Sequence, residues 1–247
     1  MVTATRPAGL RALTPAFVPT AHETTRVVVA IPAHNEERFV GGVVRDLRQQ
    51  GYVVVVVDDG SSDATGPLAR QAGATVLRHF IPLGQGAALQ TAIAWALSDG
   101  ADVVVTFDAD GQHRSQDIPA LLDALIEHDA EFALGSRFRG AAPNLPTSRR
   151  MVLEAATRFT RVSTGLPVTD THNGLRAMTR LGAQAIHLRQ DKMAHASEIL
   201  HQIAHSGLRW VEVPVTIEYT PETLAKGQRS TGMMAILADL VMGRLER

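Results

Sequence analysis

Val103-Val104-Val105-Thr106-Phe107-Asp108-Ala109-Asp110-Gly111-Gln112-His113 is the stretch on which the fold turns. Its first half is apolar and rich in β-branched residues, bounded by polar turn residues, which predicts a buried strand. Asp108 and Asp110 then emerge together at that strand's C-terminal end, the edge where open α/β sheets bind ligands. Two acids one residue apart repel unless a cation sits between them or water screens them. Mg²⁺ and Mn²⁺ take carboxylate oxygens and often share substrate phosphates as their remaining ligands. The pattern thus proposes a metal–diphosphate site, with a solvated Asp/Gly turn as the plainer alternative.

Two more strands end the same way. Tyr52-Val53-Val54-Val55-Val56-Val57 runs into Asp58-Asp59-Gly60-Ser61-Ser62-Asp63, where Ser62 or Asp63 can cap a following helix. Buried diols and ring N–H groups need acceptors, so a nucleoside is a sensible partner for Asp58 and Asp59. Arg26-Val27-Val28-Val29-Ala30-Ile31 runs into Pro32-Ala33-His34-Asn35-Glu36-Glu37. Strands are expected at 26–32, 52–57, 74–78, 102–107 and 131–136, with helices at roughly 37–50, 63–72, 86–98 and 116–128. That alternation implies βαβ units and a parallel sheet. Beyond Gly140 the pattern changes to a loop, a helix through Met151–Val162, a turn-rich Gly165–Gly174, a helix over His195–His205 and a strand over Arg209–Tyr219. Residues 231–247 pattern as an amphipathic helix.

Composition narrows the classes. The 247 residues carry 24 Lys and Arg against 25 Asp and Glu, so no global basic field recommends nucleic acid. The absence of cysteine excludes disulfides, thiolate metal sites and a cysteine nucleophile. No stretch approaches the ~20 apolar residues of a membrane span, and residues 1–25 lack the apolar core of a signal peptide. The expectation is a cytoplasmic protein with a flexible tail at 1–25 and one domain at 26–247, its nucleotide half at 26–113 and its acceptor half at 114–247.

With these motifs in hand, the chain resembles an inverting glycosyltransferase of family two with the GT-A fold. Ile31-Pro32-Ala33-His34-Asn35-Glu36, Val57 through Asp63, Gly84-Gln85-Gly86-Ala87-Ala88-Leu89 and Asp108 through His113 stand in that family's order. Leu134-Gly135-Ser136-Arg137-Phe138 and Glu212-Val213-Pro214 extend the match. Asp170-Thr171-His172-Asn173-Gly174-Leu175-Arg176-Ala177 and the segment 219–230 narrow it toward dolichyl- and polyprenyl-phosphate sugar synthases and short bacterial cell-surface polysaccharide transferases. The resemblance implies a Rossmann-like, mostly parallel sheet with helices on both faces. It implies a donor that is a UDP- or GDP-linked sugar, held by Pro32, Ala33, Asn35, Glu36, Asp58, Asp59, Gly84, Gly86, Asp108 and Ala109. It implies Mg²⁺ or Mn²⁺ held by Asp108, Asp110 and Gln112, and Asp170 as candidate base or acceptor-orienting group. Family members often carry Lys where this chain has Gln85.

Arg137, Arg139, Arg149 and Arg150 fall in a segment, Phe132–Leu153, without an acid. Arginine's planar fork suits phosphate oxygens, so Arg137, Arg139 and Arg149, joined by Lys226 and Arg229 from a flap at 224–232, form a candidate acceptor-phosphate lip. A lipid-linked acceptor would be met from the surface, with the 231–247 helix or a small membrane partner giving at most weak peripheral contact. A dinucleotide-binding dehydrogenase wants a Gly-rich turn where Pro32 through Glu36 stand. A nucleotidyltransferase wants a Gly-rich basic loop there, and a haloacid-dehalogenase-type phosphatase wants Thr or Val at position 112. A non-catalytic sugar-nucleotide binding subunit would not need all the acids intact. His201 and His205 have a zinc-binding spacing, but the metalloprotease pattern needs Glu where Gln202 stands.

Overall fold

The computed structural model describes residues 25–189 and 194–220. The elements in chain order are β1 (Val27–Ala33), α1 (Val40–Gln49), β2 (Val53–Asp59), α2 (Thr65–Gln71), β3 (Thr75–His79), α3 (Gln85–Ser98) and β4 (Val103–Thr106). A short 3₁₀ turn then leads into α4 (Ile118–Glu127), β5 (Phe132–Ala141), α5 (Thr147–Thr164), β6 (Arg176–Thr179), α6 (Arg180–Gln184), α7 (Ala194–Ser206) and β7 (Trp210–Thr216). The expected strands and helices are present with shifted ends; β7 stops at Thr216, short of the expected Tyr219. The amphipathic pattern at 231–247, the flap at 224–232 and the first 24 residues lie outside the described residues.

One sheet in the order β3-β2-β1-β4-β6-β5-β7 carries the fold. β6 is antiparallel to β4 and to β5, while the other strand pairs are parallel. Six strands therefore run one way and β6 runs against them. Strand alternation sends each β1 side chain to one of two cores. Val29 and Ile31 pack with Val44 and Leu47 of α1 and Ile118 and Leu121 of α4. Val28 and Ala30 pack with Ala88, Ala92 and Ile93 of α3 and Ile199 and Ile203 of α7. Helices cover both faces, which is why the strands read as continuous apolar runs.

The chain leaves β1 toward β2 and β3, then crosses back to place β4 on β1's other side. This reversal opens a crevice beyond the C-terminal ends of β1 and β4, the usual ligand position in such sheets. β6 has no signal in the sequence reading: Arg-Ala-Met-Thr is short and lacks a β-branched run. Its direction matters, because an antiparallel strand brings its N-terminal residues to the edge where the parallel strands end. Among the described residues, no helix is long and apolar enough to cross a membrane.

Candidate active site

A cavity of about 420 Å³ opens at that edge. Pro32 and Ala33 close β1, Thr106 closes β4, and Phe107, Asp108, Ala109, Asp110 and Gln112 follow directly along the wall. Glu36, Asp59 and Gln85 line the side toward β2 and α3, while Arg137, Arg149, His172, Arg176 and His195 line the far side. Acid thus faces base across one crevice.

Asp108 is built into this wall. Its Oδ2 accepts the His113 Nε2 proton at 2.9 Å. The His113 ring meets Phe107 edge-on at 5.2 Å, and its buried Nδ1 has no hydrogen-bond partner. Burial alone would raise the Asp108 pKa, but the bond and charge of His113, with His195 and Arg176 nearby, hold it below the ordinary carboxylate value. Gly174 lies against it: a Cβ there would overlap the Asp108 carboxylate and force it to move. Asp110 Oδ1 accepts the Gln112 N–H at 3.0 Å, which folds the turn back on itself.

These groups suit a hard divalent cation. Two carboxylates and an amide border the cavity, one acid held ionised. Among the described residues, no cluster of three His, Cys, Asp or Glu could hold a metal alone, so oxygens from a ligand would have to complete the shell. His201 and His205 stack at 6.4 Å, and the His205 Nδ1 proton goes to the His201 carbonyl at 2.7 Å.

The second acidic turn divides its labour. Asp58 is fully buried, accepts the Ser61 N–H at 2.9 Å and lies 3.3 Å from Arg78. A Cβ at Gly66 would approach its Oδ2 to 2.7 Å, so α2 sits directly on it; Asp58 does not line the cavity. Asp59 lines it, yet its carboxylate accepts the Leu83 and Gly84 N–H groups, both at 2.8 Å, and His79 Nδ1 at 2.7 Å. Burial opposes ionisation of Asp59, but these bonds outweigh it and lower its pKa. The N–H of Gly84, expected to help hold the donor, is therefore engaged by Asp59, and Gly86 is buried within α3. Asn35 is exposed at φ 56° and accepts the Ser62 N–H, tying the β1 turn to the β2 turn beside the cavity.

The far side of the cavity, where the acceptor is expected, is built on a buried ion pair. Arg137 donates from Nε to Asp170 Oδ2 at 2.6 Å, from Nη1 to the Tyr219 hydroxyl at 2.5 Å and from Nη2 to the His172 carbonyl at 2.6 Å. The pair's side chains are 4% and 1% exposed. Burial disfavours the Arg137 charge, but Asp170 and Tyr219 overcome this and raise its pKa. Asp170 also accepts the Arg137 N–H and does not itself line the cavity. Buried Glu212 holds this turn by accepting the Thr169 N–H at 2.6 Å. Arg139 turns away, donating to the Glu212 carbonyl at 3.1 Å. Arg150 lies over the Phe138 ring, whereas Arg149 stands over Tyr219 at 5.1 Å and reaches the cavity. Lys226 and Arg229 lie outside the described residues.

Arg176, His172 and His195 are among the lining residues that escaped the sequence reading as site residues. Arg176 opens β6 between Asp108 and Asp170; burial lowers its pKa to about 10, against the pull of both acids, so it stays charged at neutral pH. Burial pushes His172 down to about 4, leaving it neutral. His195, on the first turn of α7, is buried against the same space. The signal for Arg176 and His172 was their place in the Asp170–Ala177 motif; His195 carried none.

Residues 28–184 match the model of glycosyl transferase family 2. The undecaprenyl-phosphate mannosyltransferase of Micrococcus luteus is 33% identical over 222 residues, 85% of this chain and 89% of that protein. The polyprenol monophosphomannose synthase of Mycolicibacterium smegmatis is 31% identical over 245 residues, 92% of each chain. The UDP-N-acetylglucosamine–dolichyl-phosphate N-acetylglucosaminyltransferase of Methanococcus voltae is 30% identical over 223 residues, 81% of this chain and 89% of that protein. Glucosyl-3-phosphoglycerate synthase from Mycobacterium tuberculosis, solved with Mg²⁺ and UDP, shares the fold with a TM-score of 0.64 at 18% identity, covering 88% of this chain and 79% of that one. The chain belongs to glycosyltransferase family 2 and is a glycosyltransferase with the GT-A fold.

Proposed function

We propose that the protein moves a sugar from a UDP- or GDP-linked donor to a polyprenyl phosphate, with inversion, at the cytoplasmic face of a membrane. The observation that carries this reading is the opposition of Asp108, Asp110 and Gln112 to Arg137, Arg149 and Arg176 across one cavity. A diphosphate with a cation suits the first set, and a second phosphate suits the other. The names of the relatives support the acceptor class.

Pro32, Ala33, Glu36 and Asp59 line the nucleoside end. Asp108, Asp110 and Gln112 would hold Mg²⁺ or Mn²⁺, which offsets charge on the departing diphosphate and lowers the barrier by several kcal/mol. Arg137 and Arg149 draw in the acceptor phosphate and aim one of its oxygens at the anomeric carbon. That oxygen forms the new bond as the bond from the anomeric carbon to the diphosphate oxygen breaks, and the nucleoside diphosphate leaves. A phosphate is already anionic at neutral pH, so no strong base is required. Asp170, committed to Arg137, orients that guanidinium rather than taking a proton.

Product analysis with UDP- and GDP-sugars, Mn²⁺ and a short-chain prenyl phosphate tests this reading. Nucleoside diphosphate and sugar-phosphoprenol are expected. Release of pyrophosphate would replace the reading with nucleotidyl transfer, and transfer only to water-soluble hydroxyl sugars would replace the acceptor class.

A further inference from the structure

We propose that the loop joining β3 to α3, Phe80-Ile81-Pro82-Leu83, is a wedge that seats this edge of the sheet in a lipid bilayer. Phe80 is 103% exposed, Ile81 64% and Leu83 45%. None of the three lines the cavity, so donor binding does not account for them. Consecutive exposed apolar residues of this size are unusual on a soluble surface and mark an interaction site.

The loop is held as a rigid projection. His79 at its near foot and the Leu83 and Gly84 N–H groups at its far foot all bond the one carboxylate of Asp59. Its middle rests on the β2 turn, where a Cβ at Gly60 would meet Pro82 N at 2.8 Å. Both feet of the loop are thus tied to one residue, and its apolar side chains stand in solvent.

Position and chemistry select the occupant. The loop leaves the C-terminal end of β3, the same sheet edge at which the cavity opens. α5 starts beyond the C-terminal end of β5 on that edge, and its early residue Met151 is 65% exposed. Arg78 beside the loop and Arg150 beside Met151 are about half exposed, although Asp58 and Glu154 lie within 4 Å of them. Apolar tips flanked by arginines fit an acyl boundary beneath anionic headgroups. The three loop side chains present on the order of 400 Å², about half of what one partner contributes to a standard protein interface. A bilayer demands no matching shape, and the proposal rests on the polyprenyl-phosphate reading for why the edge should meet one.

Flotation with phosphatidylcholine/phosphatidylglycerol vesicles is the test, using the full chain and Phe80→Ser/Ile81→Ser. Wild type should float, and the variant's bound fraction should fall about tenfold with melting temperature and UDP or GDP binding retained. Phe80→Trp should show a vesicle-dependent blue shift absent from wild type. Turnover of long-chain polyprenyl phosphate in vesicles should fall in the double variant, while turnover of a soluble short-chain prenyl phosphate should hold. Equal flotation of variant and wild type, no flotation by either, or an emission from Phe80→Trp that vesicles leave unshifted would overturn the wedge. A change of oligomeric state in the double variant would assign the loop to a protein contact instead. Failure of every prenyl phosphate as substrate would overturn the acceptor reading, while flotation would still decide the loop.

Discussion

The two acidic turns look alike in the chain and behave differently in the fold. Asp58-Asp59 and Asp108-Ala109-Asp110 both end β-branched runs on one sheet edge. In the first, adjacent acids point apart: one is sealed beneath α2, the other is saturated by two backbone N–H groups and a histidine. In the second, the alanine between them lets both acids border the cavity, and Asp108 takes one bond from His113. The number of acids does not decide which turn meets a ligand. Nearby N–H donors matter as well, because each bond that a carboxylate accepts leaves less of it for a cation. The acceptor side extends the contrast, for Asp170 is satisfied by an arginine rather than by backbone.

The largest effect should come from the ion pair. Asp170→Ala leaves the Arg137 charge buried without its partner and should cost about 3–5 kcal/mol of stability, measured by denaturant unfolding. Asp170→Asn keeps a partner for Arg137 and should instead raise the acceptor KM more than it lowers kcat. A pure kcat loss with unchanged KM would restore Asp170 as a base and break the comparison.

Next comes the turn expected to face the metal. Asp110→Asn should lower turnover about a hundredfold or more, or at least roughly 2.7 kcal/mol of barrier, with the fold intact. Full wild-type activity in excess EDTA would remove the metal assignment.

A pH effect of roughly 3 kcal/mol should follow from His172. Its folded pKa of about 4 lies below the ordinary 6.5. Between those values the unfolded chain binds a proton that the folded protein refuses, so this contribution is complete above pH 6.5 and is lost as pH falls toward 4. His172→Gln should flatten stability against pH in that window; an unchanged slope would mean the ring is solvated.

The smallest expected change sharpens the first turn. Asp59→Ala should cost about 1–2 kcal/mol of stability by leaving the Leu83 and Gly84 N–H groups unsatisfied. Calorimetry of UDP and GDP binding to the same variant separates roles. Unchanged affinity makes the turn structural, and a further loss of about 1–3 kcal/mol makes Asp59 a nucleoside ligand as well.

Much of this was legible in the chain. Val54–Val57 and Val103–Thr106 are buried on both faces, and such residues announce parallel strands whatever surrounds them. The site edge followed from which ends of those strands carried Asp108, Asp110 and Pro32. Arg137 and Arg149 line the cavity, whereas Arg139 and Arg150 had the same local signal and face elsewhere. Periodicity places a side chain relative to its own element; it cannot say which distant carbonyl or ring that side chain will find. Arg139 met the Glu212 carbonyl, 73 residues away, and only packing brings such partners together.

By itself, then, the sequence determined the α/β alternation, the edge on which ligands meet the sheet and the family, because these rest on local periodicity and short contiguous motifs. Tertiary structure alone decided that β6 runs backwards and delivers Arg176 beside Asp108. It alone decided that Gly174 backs the Asp108 carboxylate, that Asp59 clamps a loop and that Asp170 belongs to Arg137. Each of these depends on contacts between residues far apart in the chain, whose partners exist only once the strands have been ordered in space.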